Sequence, residues 1–402
     1  MWQFIREFLG ISPSKDEQRA LLITFWRNTI GVFVALRIAD FVNAITGLYI
    51  IPKHLPQQAI GALLPLMQVG AILSLPIGIF ALVFTRQLCT YAVTGDVVRL
   101  RGLLRDAVMA TLLTLVFSLA LASFLMPWLC ELLRVEESLA GYLSIGYSLV
   151  ASFTPMLWSA LQALRRFGAI ATGSLLAAPL RLIAMLFLLP LWGLSGYFVG
   201  QGFPPLVMLT VSLIVLTPLL RQSRQAPFMA WRNDLKSMAR YASFVSIGFV
   251  ISAIQGAIMT FVIRNRLSDE VSGAYYLISR FSEIATYCGS SLATVLFPFA
   301  IEARVRGFSS KAFRTGVMYL ILALGGVLAI LLYWTLPFLM PYDYVGYEWT
   351  AAYLTLITTL NAASGLYITD STAHDRFTYL TFVFPITLFL AIALYSLKLT
   401  TL

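Results

Sequence analysis

Five ionisable residues interrupt long apolar runs in this 402-residue chain. Arg37 and Asp40 lie in "FVALRIADFVNAI" (33–45), Arg181 in "APLRLIAMLF" (178–187), and Arg280 and Glu283 in "YLISRFSEIATY" (276–287). A charge at the centre of a bilayer costs about 2.5–3.5 kcal/mol on insertion scales, so each needs a reason to be there. Arginine offers a planar fork that binds oxyanions through two parallel hydrogen bonds. Three arginines against two acids leave one positive charge in excess, which favours an anionic, phosphate-bearing substrate. Asp40 and Glu283 are candidates for ion coupling, because intramembrane acids serve proton relays. A second reading stays open: Arg37–Asp40 and Arg280–Glu283 are i,i+3 ion pairs that pin helices together. Arg181 has no acid within a turn of its own helix and needs a partner from elsewhere.

The spacing sets these groups on helical faces. Arg37, Asp40 and Asn43 share one broad face, with Gly47 beyond them. Tyr276, Arg280, Glu283 and Tyr287 form a stripe within about 60° at 100° per residue. Such a stripe must face other helices or a watery cavity. Tyr276, Tyr287 and Asn43 therefore join the arginines as candidate substrate-binding residues.

Elements long enough to carry these faces are spelled out by composition. The chain is 59% hydrophobic and 11% charged, with a mean hydropathy of +0.84. Soluble domains run about 25% charged, so the solvent here is lipid and the expected class is an all-α integral membrane protein. A span needs about 20 apolar residues. Eleven are expected, near 28–51, 59–83, 108–128, 139–161, 169–190, 196–219, 241–263, 273–299, 315–337, 349–369 and 377–397. Before them "MWQFIREFLG" reads as a short interfacial helix in a cytoplasmic segment 1–27. Lys and Arg alternate across the connections, about 20 on one side and 5 on the other. The positive-inside rule then puts the N-terminus in the cytoplasm and, after eleven spans, the C-terminus outside. The same rule accounts for the net charge of +10 without nucleic acid. Cys89, Cys130 and Cys288 are scattered and His54 and His374 stand alone, which points to no metal site and no disulfide framework. No GxxxxGK[ST] loop occurs, so an ATPase is disfavoured and no cofactor is expected.

A shift of 212 positions overlays "IIPKHLPQQAIGALLPL" (50–66) on "VIRNRLSDEVSGAYYLI" (262–278). Ile51, Leu55, Gly61 and Ala62 meet Ile263, Leu267, Gly273 and Ala274, and Asn43 meets Gln255, an intramembrane amide on an intramembrane amide. Gln255 is accordingly a binding candidate. A hairpin recurring after six spans implies two pseudo-repeated bundles in parallel orientation around a central cavity. Their expected bounds are 28–219 and 241–402, with a basic cytoplasmic linker at 220–240.

"SGAYYLISRFSEIATYCGSSLATVLFPFAIEARVRG" (272–307) and "IGALLPLMQVGAILSLPIGIFALVFTRQ" (60–87) resemble the corresponding regions of the Wzx-type polysaccharide flippases. These are members of the MOP superfamily, alongside the MATE exporters and the lipid II flippase MurJ. The resemblance extends to helix spacing, short outer loops and basic inner loops. It implies a bacterial inner-membrane transporter, not an enzyme, moving an undecaprenyl-diphosphate-linked oligosaccharide outward by alternating access. It also implies that Arg37, Arg181 and Arg280 meet the diphosphate and sugar, and that the partners are the lipid-linked glycan, the bilayer and glycan polymerase or assembly enzymes. The family has twelve helices or more, one beyond the eleven expected here. Two rivals remain at this point. A MATE-like cation-coupled drug exporter favours acids in its cavity, and a membrane enzyme of glycan assembly needs a sizeable outer loop with catalytic groups.

Overall fold

A computed structural model describes residues 15–132, 138–223, 226–266, 269–307, 310–339, 347–381 and 385. Among the described residues there are no strands, and beside the single helical turn Ile51–His54 there are ten longer α-helices: α1 Lys15–Ile45, α2 Gln57–Leu73, α3 Leu75–Thr94, α4 Val97–Leu132, α5 Ser138–Ala163, α6 Phe167–Ser223, α7 Leu235–Arg266, α8 Asp269–Val305, α9 Lys311–Leu339 and α10 Glu348–Ala373. Seven stretches are long and apolar enough to cross a membrane. The chain is thus all-α and built for a bilayer. The interfacial helix expected at 1–10 lies outside the described residues, as does nearly all of the last expected span near 377–397.

Breaks fall where the backbone demands them. The single span expected at 59–83 is divided at Ser74, because Pro76 sits in the first turn of α3 and cannot supply an interior N–H. The 57-residue α6 is folded back on itself at Gly193, whose φ of 52° and ψ of −128° are not helical. A Cβ at Gly196 would strike the Leu188 carbonyl, and one at Gly200 would lie 2.8 Å from Met185 Sδ. These approaches are those of an antiparallel hairpin, so α6 comprises both spans expected at 169–190 and 196–219.

The basic connections gather at one end. Arg101 at the start of α4 donates to Gln222 at the end of α6 (2.5 Å), Arg99 reaches Asp234 before α7 (3.4 Å), and Arg314 of α9 meets Asp370 of α10 (2.8 Å). Near this basic end the core is aromatic: Phe25 of α1 packs on Phe299 of α8 (5.4 Å between ring centroids) and on Phe313 of α9 (4.8 Å). Toward the other end a second core collects Ile51, Leu63, Leu66, Tyr197, Phe198, Leu277 and Phe281. α8 runs through both cores and packs against α1, α2, α3, α9 and α10. Small residues let it approach closely, since a Cβ at Gly289 would lie 2.8 Å from the Ala362 Cβ of α10. Outward faces stay apolar: Phe124 is 82% and Phe338 88% exposed, which only lipid makes favourable.

Candidate functional site

Between the two cores, α1, α2, α5, α6 and α8 surround a cavity of about 250 Å³. Along α5 and α8, residues of the aromatic core lie to one side of the cavity and residues of the second core to the other. Its charged lining consists of Asp40, Arg181 and Arg280, joined by Asn43, Gln201, Tyr147, Tyr276 and Tyr287. Six of the nine residues singled out from sequence therefore meet in one place: Asp40, Asn43, Arg181, Tyr276, Arg280 and Tyr287.

Arg37 lies beside the cavity rather than in its lining. Its guanidinium pairs with Asp40 at 2.6 Å and donates from the same Nη2 to the Tyr287 carbonyl (2.6 Å) and Ser291 Oγ (2.5 Å). It also lies over the Phe33 ring. Arg37 thus ties α1 to α8 with its charge neutralised, the structural role that i,i+3 spacing allows. Glu283 likewise stands behind the lining, receiving Arg280 Nη1 at 2.6 Å and the Tyr287 hydroxyl at 2.7 Å. The remaining residue, Gln255, lies on α7, but its side chain is outside the described ones.

Arg280 is held from three sides: by Glu283, by the Tyr276 ring 4.7 Å from its central carbon, and by Met67 Sδ at 3.8 Å. Arg181 differs. It stands near the middle of the first limb of α6, and its Nη1 donates to Asn43 Oδ1 at 2.8 Å. Among the described residues no carboxylate lies within salt-bridge distance of it. An amide oxygen accepts a hydrogen bond without cancelling a charge. Arg181 and Arg280 each also keep a buried Nε–H without a hydrogen-bond partner, and buried donors are rarely left so.

Three features were not singled out from the sequence. Gln201 donates to the Tyr197 hydroxyl (2.9 Å), which donates to Met67 Sδ (3.4 Å), so a polar chain runs behind the lining. Tyr147 contributes a phenol from α5. Neutral residues of this kind carry no signal against an apolar background. The third is a π-helical turn at Thr46–Ile50, just beyond Asn43, which brings Gly47 and Leu48 to the cavity. Such turns are frequent at functional sites. Gly47 was the one hint of it in the sequence.

The helical arrangement has clear counterparts among solved structures. The fold is that of the MATE transporters. A crystal structure of MATE in complex with MaD5 superposes with a TM-score of 0.67 at 10% identity, over 92% of this chain and 86% of that one. The Vibrio cholerae MATE transporter VcmN in its bent form gives 0.65 at 14% identity, over 92% and 87%. The MATE multidrug transporter DinF-BH in complex with R6G gives 0.61 at 12%, over 88% and 82%. No protein-family model and no curated protein sequence matches the chain.

Proposed function

We propose that this protein is an alternating-access transporter that moves a lipid-linked, phosphate-bearing oligosaccharide, of the undecaprenyl-diphosphate type, from the cytoplasmic to the outer leaflet. The observation that carries this reading is Arg181. It is an arginine inside the cavity whose only hydrogen-bond partner among the described residues is the neutral Asn43, with a buried N–H to spare. Asp40 and Glu283 are matched to Arg37 and Arg280, so Arg181 leaves the cavity one positive charge in excess. A diphosphate supplies what Arg181 and Arg280 lack, anionic oxygens for both unpartnered Nε–H groups. In this reading 28–219 and 241–402 are the two moving bundles, 220–240 links them, and the basic end faces the cytoplasm.

The test is accessibility of a lipid-diphosphate-linked glycan on each face of vesicles containing the purified protein. Movement that depends on Arg181 supports the reading, and none by the wild-type protein overturns it.

A second reading is a MATE-like multidrug exporter, favoured by the fold and by DinF-BH, which is solved with R6G. R6G efflux from the same vesicles, unaffected by lipid-linked diphosphate, would favour it. An exporter of organic cations is better served by an unmatched acid than by an unmatched arginine.

A further inference from the structure

A second cavity, of about 610 Å³, lies at the basic end, away from the central one. Three elements wall it: α3 through Arg86; α7 and the turn before it through Asn233, Lys236, Ser237, Arg240, Tyr241 and Phe244; and the chain after α10 through Asp375 and Phe377. Lys236 and Arg240 are exposed, one turn apart, with no carboxylate among the described residues within salt-bridge distance of either. Arg86 forms the floor, 7% exposed, 4.6 Å from the centre of the Tyr241 ring and with its fork taken up by Asp375. Phe244 and Phe377 stack beside it, 4.7 Å apart.

Beside it α3, α7, α10 and the chain after α10 line an apolar pocket of about 290 Å³ through Leu82, Val245, Gly248, Phe249, Ile368 and Tyr379, with Thr369, Thr372 and the Tyr379 hydroxyl its polar groups. Leu82 is one turn from Arg86 on α3, and Val245 and Gly248 follow Tyr241 and Phe244 along one face of α7. Cations at the mouth, aromatic rings in between and an apolar slot beyond form a graded site. A free anion would use only its first part, and a neutral lipid only its last.

We infer that this groove binds a lipid phosphate, its phosphate held by Lys236 and Arg240 at the mouth and its chain laid along Leu82, Val245, Gly248 and Phe249. Clustered basic residues at a membrane surface attract anionic lipid headgroups, and arginine adds a fork for phosphate oxygens. The groove shares no lining residue with the central cavity, so it stands independently of the transport reading.

Native mass spectrometry of the purified full-length protein, titrated with phosphatidic acid, tests this. Inorganic phosphate and diacylglycerol serve as the headgroup and tail controls. Phosphatidic acid is expected to bind at least tenfold more tightly than either control. The Lys236→Gln/Arg240→Gln variant, altered only at exposed positions, is expected to lose at least tenfold. Gly248→Leu, whose Cβ would sit 3.3 Å from the Tyr379 hydroxyl, is expected to weaken the lipid and leave inorganic phosphate unchanged. Equal binding by the double variant overturns the inference. So does inorganic phosphate matching the lipid, which marks a free-anion site, or diacylglycerol matching it, which marks unspecific lipid. Loss of phosphatidic acid in Arg181→Gln would place the lipid in the central cavity instead and overturn it as well.

Discussion

Arg86 and Asp375, almost three hundred residues apart in the chain, are joined by two parallel hydrogen bonds, Nε to Oδ1 at 2.9 Å and Nη2 to Oδ2 at 2.7 Å. Arg304 of α8 adds a third contact to the same Oδ2 at 2.8 Å. One carboxylate thereby ties α3, α8 and the turn after α10 together at the basic end. A parallel tie stands nearby: Glu302 of α8, almost fully buried, meets Arg165 from the α5–α6 turn and Arg306. Both ties join α8, or the segment packed against it, to the first six helices. They must open if the cavity is to be reached from this end.

Asp375→Asn is therefore expected to raise the rate at which a small thiol reagent reaches a cysteine placed at Tyr147 from the basic end. The wild-type protein should react slowly there. An unchanged rate would mean that Asp375 does not hold this end shut. Asp375 is partly exposed, so the accompanying loss of stability should be about 1–2 kcal/mol, below the 3–5 kcal/mol typical when a fully buried pair is broken.

Arg181→Gln separates a ligand role from a scaffold role. Removing a half-buried charge with no carboxylate partner among the described residues should leave the unfolding temperature unchanged or raise it. Movement of lipid-linked diphosphate should fall at least tenfold, a loss of about 1.4 kcal/mol or more in binding. Arg181→Lys should recover only part of it, because a point charge replaces a fork. A clear drop in unfolding temperature with normal transport would instead make Arg181 a structural residue.

Arg280, Glu283 and Tyr287 behave as a unit in the structure and should do so in measurement. Tyr287→Phe removes one hydrogen bond to a carboxylate and should cost about 1–3 kcal/mol. Arg280→Gln and Glu283→Gln should each cost more than the double change, since either alone strands a charge. Thermal unfolding in detergent across the cycle gives the coupling energy. Additive effects would contradict the ion pair seen here.

The legible part of this protein is the part with a strong one-dimensional signal. Arg37, Asp40, Arg280 and Glu283 were visible because a charge in an apolar run is expensive, and the i,i+3 pairing followed from helical geometry. Their division of labour was not visible. Arg37 and Glu283 sit behind the cavity lining, and Arg181 stands apart because its neighbour across the fold is an amide rather than an acid. That neighbour, Asn43, lies 138 positions away, and sequence periodicity carries no information at that range. The same limit hid Met67, Tyr147 and Gln201, which are ordinary in a membrane helix until the fold brings them together. The division at Ser74 and the hairpin at Gly193 were readable in kind, from proline and glycine. That both limbs of the hairpin belong to one continuous element was not.

Gly193 carries the most local prediction. Its φ of 52° with ψ of −128° lies where a Cβ collides with the backbone, so only glycine adopts it without strain. The turn cannot move to a neighbour, because Gly196 and Gly200 already lie against Leu188 and Met185 and hold the limbs in register. Gly193→Ala is expected to cost about 1–3 kcal/mol, seen as a lower unfolding temperature. The strain should also reach the cavity, since Arg181 and Gln201 stand on opposite limbs and both line it. Weaker binding of lipid-linked diphosphate should therefore accompany the loss of stability. Wild-type stability in Gly193→Ala would show that the hairpin can turn by another route.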